Sequence, residues 1–307
     1  MSLTKSQLNA QHCRDFVSTI HTAPYDTIDP AVVNLHSPFV VCIIGGRGAA
    51  GGGLARAYAR AGASGLILAA RTRTALEQTA KEARSISPSA KVIVSECDIT
   101  SESQVKSLVD TVKSEFNGRL DVVIVNSGYS GPIIPDVVQE SPDDYRNAFD
   151  VNLMGLFYAA HHLLPLLVAT NSVARSLIAI NSMAAPTVSG PLAHAHYCVS
   201  KAAQARLIEM INEQYSDRGI FCASVHPGGM RSDFSKDAPE WLFKLLVDSP
   251  DLVGAFCTWL SSPTNSERRR QVLNGRFLSC KWDVTELEAR FDEIIEKDLL
   301  RFRIAVE

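Results

Sequence analysis

The sequence has few of the features that mark secreted, metal-binding or nucleic-acid-binding proteins. Its seven cysteines are scattered and odd in number, with no CxxC pair, so neither a disulfide framework nor a metal site is expected. The net charge is only −3 and no long basic tract occurs, so we expect no nucleic-acid partner. With 46% hydrophobic residues, the chain has the composition of an ordinary globular protein.

An apolar signal core and a clean membrane span are also lacking. Residues 1–16, MSLTKSQLNAQHCRDF, are mostly polar. The most apolar later stretch, FDVNLMGLFYAAHHLLPLLVA, carries Asp150, Asn152 and two histidines. We therefore predict a cytoplasmic protein with no membrane partner.

Apolar runs of strand length alternate with segments of helical periodicity from about residue 39 onward. Continuously apolar strands between helices indicate a parallel sheet covered on both faces. We predict an α/β fold, a doubly wound Rossmann fold with a parallel sheet of about seven strands in a single domain. The predicted strands are 39–45, 65–70, 91–98, 121–128, 176–182, 220–229 and 276–279.

The same pattern divides the chain into three parts. Residues 1–36 precede the first strand, are polar and contain two prolines, so they are predicted to form an N-terminal arm. Residues 37–282 form the predicted Rossmann domain. Residues 283–307 are helical by pattern and are predicted to form a C-terminal helical tail that packs on the domain or on a partner.

A glycine cluster, GGRGAAG at residues 45–51, follows the first strand and opens a helix. Glycines let the backbone turn tightly and approach a pyrophosphate, which binds the free N–H groups at the helix N-terminus. A strand, a turn, a helix and a second strand within about 30 residues form the context that dinucleotide binding requires. We expect a cofactor here rather than a merely flexible loop.

The end of the second strand indicates which dinucleotide is bound. An acid about 20 residues past the glycines usually holds the ribose of NAD, whereas a 2′-phosphate needs arginine instead. The segment LILAARTRT offers Arg71 and Arg73 and no acid, and Arg47 adds a charge inside the glycine loop. NADP(H) is therefore preferred over NAD(H). The alternative is that these arginines only extend into solvent from a strand end.

The stretch HAHYCVSK, residues 194–201, places Tyr197 one helical turn ahead of Lys201. Such a pair alone could be an ordinary surface pair. Together with the fold and the glycine loop, it resembles the short-chain dehydrogenase/reductase family over about residues 38–280. The segments HTAPYDTIDP and LNGRFLSCKWDV are similar, more loosely, to a fungal branch associated with specialised metabolism.

The resemblance implies site residues through matching motifs. Asn152 in FDVNLMGLF, Ser182 in INSMA, Tyr197 and Lys201 match the family's catalytic tetrad. The matched motifs and the arginine argument together predict these cofactor contacts: Gly45, Arg47, Gly48, Gly51, Arg71, Asp98, Asn126, Gly128, Tyr197, Lys201, Pro227, Gly228, Met230 and Ser232.

The resemblance also implies the role of each catalytic residue. Tyr197 would protonate a carbonyl oxygen as hydride arrives, and would act as the base in the reverse direction. Lys201 would be the cation that moves a phenol pKa of about 10 toward the working range, and would hold the nicotinamide ribose. Ser182 would hydrogen-bond the substrate oxygen, and Asn152 would anchor a water that relays protons to Lys201.

The sequence departs from the family's pattern around the glycines and before the tyrosine. Ile44 stands where the family has threonine, and Ala49 stands at the middle glycine unless the loop uses Gly48. Ser182 precedes Tyr197 by two residues more than in the common pattern, which predicts an insertion in the loop between them.

Several neighbouring residues are interpreted conservatively. His194 and His196 are expected to be polar loop residues, because two histidines without a third ligand make a poor metal site. Cys198 is expected to be a packing residue. Asp233, Phe234, Trp241 and Phe243 lie in the segment that matches the family's substrate lid. A lid with such aromatic residues would suit a bulky hydrophobic substrate; the alternative is that these residues belong to the core.

The predicted function is that of an NADP(H)-dependent oxidoreductase acting on a ketone or alcohol of a small, hydrophobic specialised metabolite. A non-redox use of the scaffold, as a cyclase, isomerase or dehydratase, is the alternative that the altered glycine loop suggests. A cofactor-sensing binding protein would be expected to lose Tyr197 or Lys201. The apolar helices around 152–168 and 197–213 resemble the family's dimer-forming pair, so a homodimer or homotetramer is expected.

Overall fold

The structure is a computed structural model and describes residues 13–235, 240–264 and 266–304. Seven parallel strands form one sheet in the order β3-β2-β1-β4-β5-β6-β7, which confirms the doubly wound fold and the strand count. The strands are β1 Val40–Ile44, β2 Gly65–Ala70, β3 Lys91–Glu96, β4 Val122–Val125, β5 Ser176–Ile180, β6 Phe221–His226 and β7 Arg276–Ser279.

The strand predictions run too far at several carboxyl ends. β4, predicted to reach residue 128, ends at Val125, and β6, predicted to reach 229, ends at His226. The residues beyond are asparagine, serine, proline and glycine, which leave the ladder and form the loops of the candidate site. The observed strand ends therefore show where the loops of the candidate site begin.

Helices cover both faces of the sheet. A hydrophobic layer lies between the sheet and the helices on each face. Successive residues of β1 alternate between the two layers, with Val41 and Ile43 in one and Cys42 and Ile44 in the other, as the two-residue period of a strand requires. The helices are α1 Gly48–Arg60, α2 Arg73–Ile86, α3 Glu102–Phe116, α4 Pro142–Phe149, α5 Gly155–Ala169, α6 Ala195–Tyr215, α7 Glu240–Phe243, α8 Pro250–Ser261, α9 Glu267–Leu273, α10 Val284–Ala289 and α11 Phe291–Glu296.

Two glycines bring the backbones of α1 and α8 into direct contact. A Cβ atom on Gly53 would lie 1.9 Å from the carbonyl oxygen of Pro250. A Cβ atom on Gly254 would lie 2.3 Å from the carbonyl oxygen of Gly53. Because neither position has room for a side chain, the two helices pack closer than ordinary residues permit.

The N-terminal arm and the C-terminal tail pack together against the core. Trp282 is fully buried, and its Nε1 donates to the carbonyl oxygen of Arg14 at 3.1 Å. Ile28 of the arm and Ile294 of the tail belong to the same hydrophobic core as the domain. The tail forms two short helices, α10 and α11, which meet at Arg290, and no helix is assigned over 297–304.

The segment Pro142–Ala169 is long and apolar enough to cross a membrane, with a mean hydropathy of 1.5. In the structure it is divided by a π-helical turn, Asp150–Met154, and α5 buries Leu163 and Leu167 completely in the core. The segment is therefore a core helix of this fold, and its apolar character reflects packing against the sheet.

Candidate active site

The candidate site lies at the carboxyl edge of the sheet, where β1 and β4 are neighbours. The chain runs outward in both directions from this pair, which makes it the switch point where doubly wound folds bind ligands. Nδ2 of Asn126, which follows β4, donates to the carbonyl oxygen of Gly45, which follows β1, at 2.7 Å. The predicted contact residue Asn126 thus fixes the glycine loop against the adjacent strand.

The glycine loop has the shape of a phosphate cradle. Gly45 has a φ of +91°, and a Cβ atom on Gly51 would lie 2.3 Å from the carbonyl oxygen of Gly45. Gly48, the first residue of α1, has a φ of +70° and no atom within 4 Å of the Cβ position, and Ala49 follows it inside the helix. The left-handed position is therefore Gly48 rather than Ala49, and the open space at the N-terminus of α1 fits a dinucleotide pyrophosphate.

The three arginines near this loop differ in their partners. Arg47 faces Asp233 at 3.5 Å, and Arg73 faces Glu77 at 3.4 Å. Arg71 is exposed, and no described residue forms an ion pair or hydrogen bond with it. Arg71 is thus the arginine at the end of β2 whose guanidinium stays available to an external anion.

Asp98 lies two residues after β3, in a turn that its own side chain stabilises. Oδ1 accepts from the backbone nitrogen of Thr100 at 2.9 Å and from its hydroxyl at 2.8 Å. The backbone nitrogen of Asp98 donates to Oε1 of Gln104 at 2.8 Å. The structure therefore gives this predicted contact residue a structural function as well.

The predicted tetrad comes together around α6. Tyr197 is only 9% exposed, and the side chain of Ser182, which follows β5, is near enough to act on its pKa. Nζ of Lys201 lies 5.9 Å from the centroid of the Tyr197 ring and donates to the carbonyl oxygen of Ile180 at 3.0 Å. The spacing of four residues thus places both groups in one buried site, as the sequence predicted.

Burial dominates the electrostatics of this pair. It raises the pKa of Tyr197 to about 12, although the side chain of Ser182 acts in the opposite direction. It lowers the pKa of Lys201 to about 7. Desolvation is the largest cause of both shifts because it penalises both charged forms, and the role of Lys201 in lowering the tyrosine pKa stays a prediction. The phenol is protonated at neutral pH and can donate its proton.

Asn152 lies in the π-helical turn and is completely buried. Its Oδ1 accepts from the backbone nitrogen of Tyr129 at 2.8 Å, and its Nδ2 donates to the carbonyl oxygen of Tyr129 and to Oγ of Ser200, both at 2.9 Å. Its carbonyl oxygen accepts from Nε2 of Gln204 at 3.0 Å. The side chain and the carbonyl oxygen of Asn152 are thus both hydrogen-bonded to protein groups.

The turn after β6 is held by a buried carboxylate. Oδ2 of Asp248 accepts from the backbone nitrogen of Gly229 at 2.6 Å, and Nζ of Lys281 lies 2.6 Å from Oδ1. These bonds fix the segment that contains four of the predicted cofactor contacts, Pro227, Gly228, Met230 and Ser232. The backbone nitrogen of Ser232 also donates to Oγ of Ser235 at 3.0 Å.

Gly128 connects these groups in space. A Cβ atom on this residue would lie 3.6 Å from Oδ1 of Asn152 and 3.8 Å from Nζ of Lys201. The structure therefore brings Gly128 and the tetrad into one cluster. Arg71 and Asp98 follow β2 and β3, which lie in the other half of the sheet.

Comparison with known proteins assigns the family. The model of the short chain dehydrogenase family matches residues 39–242. The chain belongs to the short-chain dehydrogenase/reductase family. A short chain dehydrogenase of Aspergillus terreus, pgmD, is 30% identical over 99% of this chain and 98% of its own. Another, pigC of Monascus ruber, is 30% identical over 94% of this chain and 93% of its own.

Solved structures at lower identity support the fold. A short-chain type dehydrogenase/reductase from Mycobacterium marinum superposes with a TM-score of 0.71 at 23% identity, over 83% of this chain and 97% of its own. A short chain dehydrogenase from Shigella flexneri, complexed with NADP, superposes with a TM-score of 0.70 at 22% identity, over 82% of this chain and 100% of its own.

Two histidines of this short-chain dehydrogenase/reductase are buried rather than polar loop residues. His194 is 3% exposed and its ring stacks on that of Tyr197, with 5.3 Å between centroids. His196 is fully buried, with Nδ1 2.9 Å from Oε2 of Glu140 and Nε2 2.7 Å from the carbonyl oxygen of Ser130. The expectation failed because Glu140 lies far away in sequence, and no local pattern reveals it.

The structure also places Cys198 and two aromatic residues of the predicted lid, Phe234 and Trp241. Cys198 is buried, and burial raises its pKa to about 11, so the thiol stays protonated and packs. Phe234 is 50% exposed, and its ring centroid lies 6.1 Å from that of Tyr197. Trp241 is also partly exposed, while residues 236–239 of the predicted lid lie outside the described residues.

Proposed function

We propose that the protein is an NADP(H)-dependent oxidoreductase that interconverts a ketone and an alcohol on a small hydrophobic molecule. The observation that carries this proposal is the placement of Tyr197 with Lys201, whose Nζ is 5.9 Å from the tyrosine ring centroid, and with Ser182, whose side chain acts to lower the tyrosine pKa. A protonated phenol, a second hydroxyl to orient a carbonyl oxygen and a nearby amine are the groups that carbonyl reduction requires.

Each residue then has a defined task. NADPH, when bound, supplies the hydride. Tyr197 gives its hydroxyl proton to the substrate oxygen, and Ser182 donates a hydrogen bond that orients that oxygen. Lys201 keeps one N–H beyond its two bonds to protein acceptors, and this N–H would hold the cofactor ribose. The glycine loop would bind the pyrophosphate through backbone N–H groups.

The preference for NADP(H) rests on charge. No acid follows β2, and Arg71 is exposed without a partner among the described residues, while Arg47 stands beside the glycine loop. A guanidinium binds a phosphate with two parallel hydrogen bonds, so the 2′-phosphate would attach to Arg71 and Arg47. The ion pair of Arg47 with Asp233 is solvent-exposed and would yield to a phosphate.

The substrate class follows from the apolar surface beside the tyrosine. Phe234 is half-exposed next to Tyr197, and Trp241, Leu245 and Val247 expose further apolar surface in the segment after β6. Such surface suits a hydrophobic substrate. The relatives that match nearly the whole chain come from fungi, which supports a specialised metabolite as the substrate.

The assembly and location belong to the same proposal. Phe157 on α5 and Val199 and Met210 on α6 are exposed apolar residues on the two helices expected to form a dimer interface. A homodimer or homotetramer in the cytoplasm would cover them. Light scattering of the purified protein tests the assembly, and the variant M210E is expected to shift it toward monomer.

Titration of the purified protein with NADPH and NADH, followed by nicotinamide fluorescence and thermal stabilisation, is the first test. We expect NADPH to bind at least about 10-fold more tightly than NADH, as charge-assisted bonds to a phosphate predict. Oxidation of NADPH by a panel of hydrophobic ketones tests the reaction. Failure to bind either dinucleotide would overturn the proposal and direct the search to non-redox chemistry.

A further inference from the structure

Gln204 is a completely buried polar residue on α6, three positions after Lys201. Its Oε1 accepts from Nζ of Lys201 at 3.0 Å, and its Nε2 donates to the carbonyl oxygen of Asn152 at 3.0 Å. A buried amide is stable only where its polar atoms are hydrogen-bonded, and both ends of Gln204 meet that condition. The amide thus bridges two residues of the tetrad.

The protein contacts of Lys201 are neutral dipoles. Of three ammonium N–H groups, one donates to the carbonyl oxygen of Ile180 in β5 and one to Gln204. The titratable group beside it is Tyr197, on the same helix, with its ring centroid 5.9 Å from Nζ. The orientation of the amine and its one remaining N–H are therefore set by Ile180 and Gln204 together.

An amide differs from water as a link between proton-transfer groups. A water molecule can accept a proton on one side and release another on the opposite side. The nitrogen of a glutamine amide only donates and its oxygen only accepts, so it passes no proton without becoming an imidic acid. A bridge made of Gln204 therefore holds Lys201 and Asn152 together but does not conduct protons between them.

We propose that Gln204 is a positioning residue that bridges Lys201 and Asn152, aims the lysine at the cofactor and makes the link between the two residues one that does not conduct protons. This rests on the proposed function. When the O–H bond of Tyr197 breaks and its proton goes to the substrate oxygen, the phenolate must regain a proton by a route that does not pass through the Gln204 amide.

The first test measures Lys201 directly and needs neither substrate nor cofactor. The pKa of Lys201 is followed by NMR of ¹³Cε-labelled lysine, with its signal assigned by its loss in K201M. Q204E places a carboxylate at the amine and is expected to raise that pKa by about 1 to 3 pH units. Q204L removes an acceptor and is expected to lower it.

I208A is the matched control for packing. Ile208 is fully buried on the same helix, seven positions after Lys201, so its truncation disturbs the packing of α6 about two turns away from the amine. We expect its Lys201 titration to equal that of the wild type. Equal titration midpoints in the wild type, Q204E and Q204L would overturn the proposal. If Q204L does not fold, Q204N, which is too short to bridge, replaces it.

A crystal structure of the NADPH complex provides the second test. We expect the Gln204 amide between Nζ of Lys201 and the carbonyl oxygen of Asn152. A water there, with Gln204 turned aside, would overturn the proposal. The two proposals fail separately. If the pKa of Lys201 changes in the Gln204 variants but NADPH does not bind, only the redox function is contradicted. If NADPH binds tightly but the pKa of Lys201 is the same in all Gln204 variants, only the positioning of Lys201 by Gln204 is contradicted.

Discussion

Glu140 caps the helix that carries the tyrosine by binding His196 twice. Its Oε2 lies 2.9 Å from the backbone nitrogen of His196 and 2.9 Å from Nδ1 of the same residue. The other ring nitrogen, Nε2, lies 2.7 Å from the carbonyl oxygen of Ser130. Glu140 and His196 therefore join the loop after β4 to α6 through a buried polar contact.

Replacing Glu140 tests the strength of this cap. E140Q puts an amide where a buried carboxylate contacts both the backbone and the ring of His196, so we expect a loss of about 1 to 3 kcal/mol in the free energy of unfolding, measured with urea. E102Q is the matched control, because Glu102 is exposed and also faces a histidine, His162, at 3.1 Å. The control is expected to lose about 0 to 1 kcal/mol. Similar losses in both variants would contradict a special role for the buried pair.

Removal of one hydroxyl tests the proton donor. Y197F is expected to lower kcat for ketone reduction by at least about 10²-fold, because the proton then has no donor, while the Kd for NADPH stays within about twofold. Y215F, on the same helix but at its far end, serves as the control and is expected to behave like the wild type. Full reductase activity in Y197F would exclude this residue as the acid.

Neutralising Arg71 tests the choice of cofactor. R71A is expected to weaken NADPH binding by about 10- to 100-fold and to leave NADH binding nearly unchanged, because only NADPH carries the 2′-phosphate. R73A is the comparison, since Arg73 already faces Glu77. We expect a smaller effect there. Equal losses for both dinucleotides in R71A would refute the phosphate contact.

The buried lysine predicts a pH dependence of stability. Burial lowers the pKa of Lys201 from 10.5 to about 7, so the unfolded chain binds more protons than the folded one between these values. The destabilisation that results is present below pH 7 and decreases as pH rises toward 10.5. The stability of the wild type relative to K201M should therefore increase from pH 7 to pH 10 in urea titrations. A flat difference would contradict the lowered pKa.

Sequence patterns predicted those features that depend on residues close together in the chain. The strands were predictable because each is a short, continuously apolar run, and the tyrosine and lysine because four residues make about one helical turn. Gln204 lies at the next position on the same helical face, so the same rule would have found it. The hydrogen bond between Gln204 and Asn152 could not have been predicted, because no sequence spacing shows that the π-helical turn packs against α6.

Long-range contacts explain the remaining errors. The burial of His194 and His196 depends on a loop that ends at Glu140, and the burial of Trp282 depends on the arm at Arg14. Neither relationship leaves a periodic signal. The burial that raises the pKa of Tyr197 also leaves no periodic signal, because the loss of water around a phenol depends on the whole packed site.

The contact between Gly53 and Gly254 has a consequence for how the protein can change. α1 begins at the glycine loop and α8 begins just after Asp248, which holds the turn after β6, so the contact sets the distance between that loop and that turn. No side chain can be added there without separating the helices. Variation that alters substrate range is thus expected at exposed apolar residues ahead of α8, such as Trp241, Leu245 and Val247, while the spacing of the two helices stays fixed.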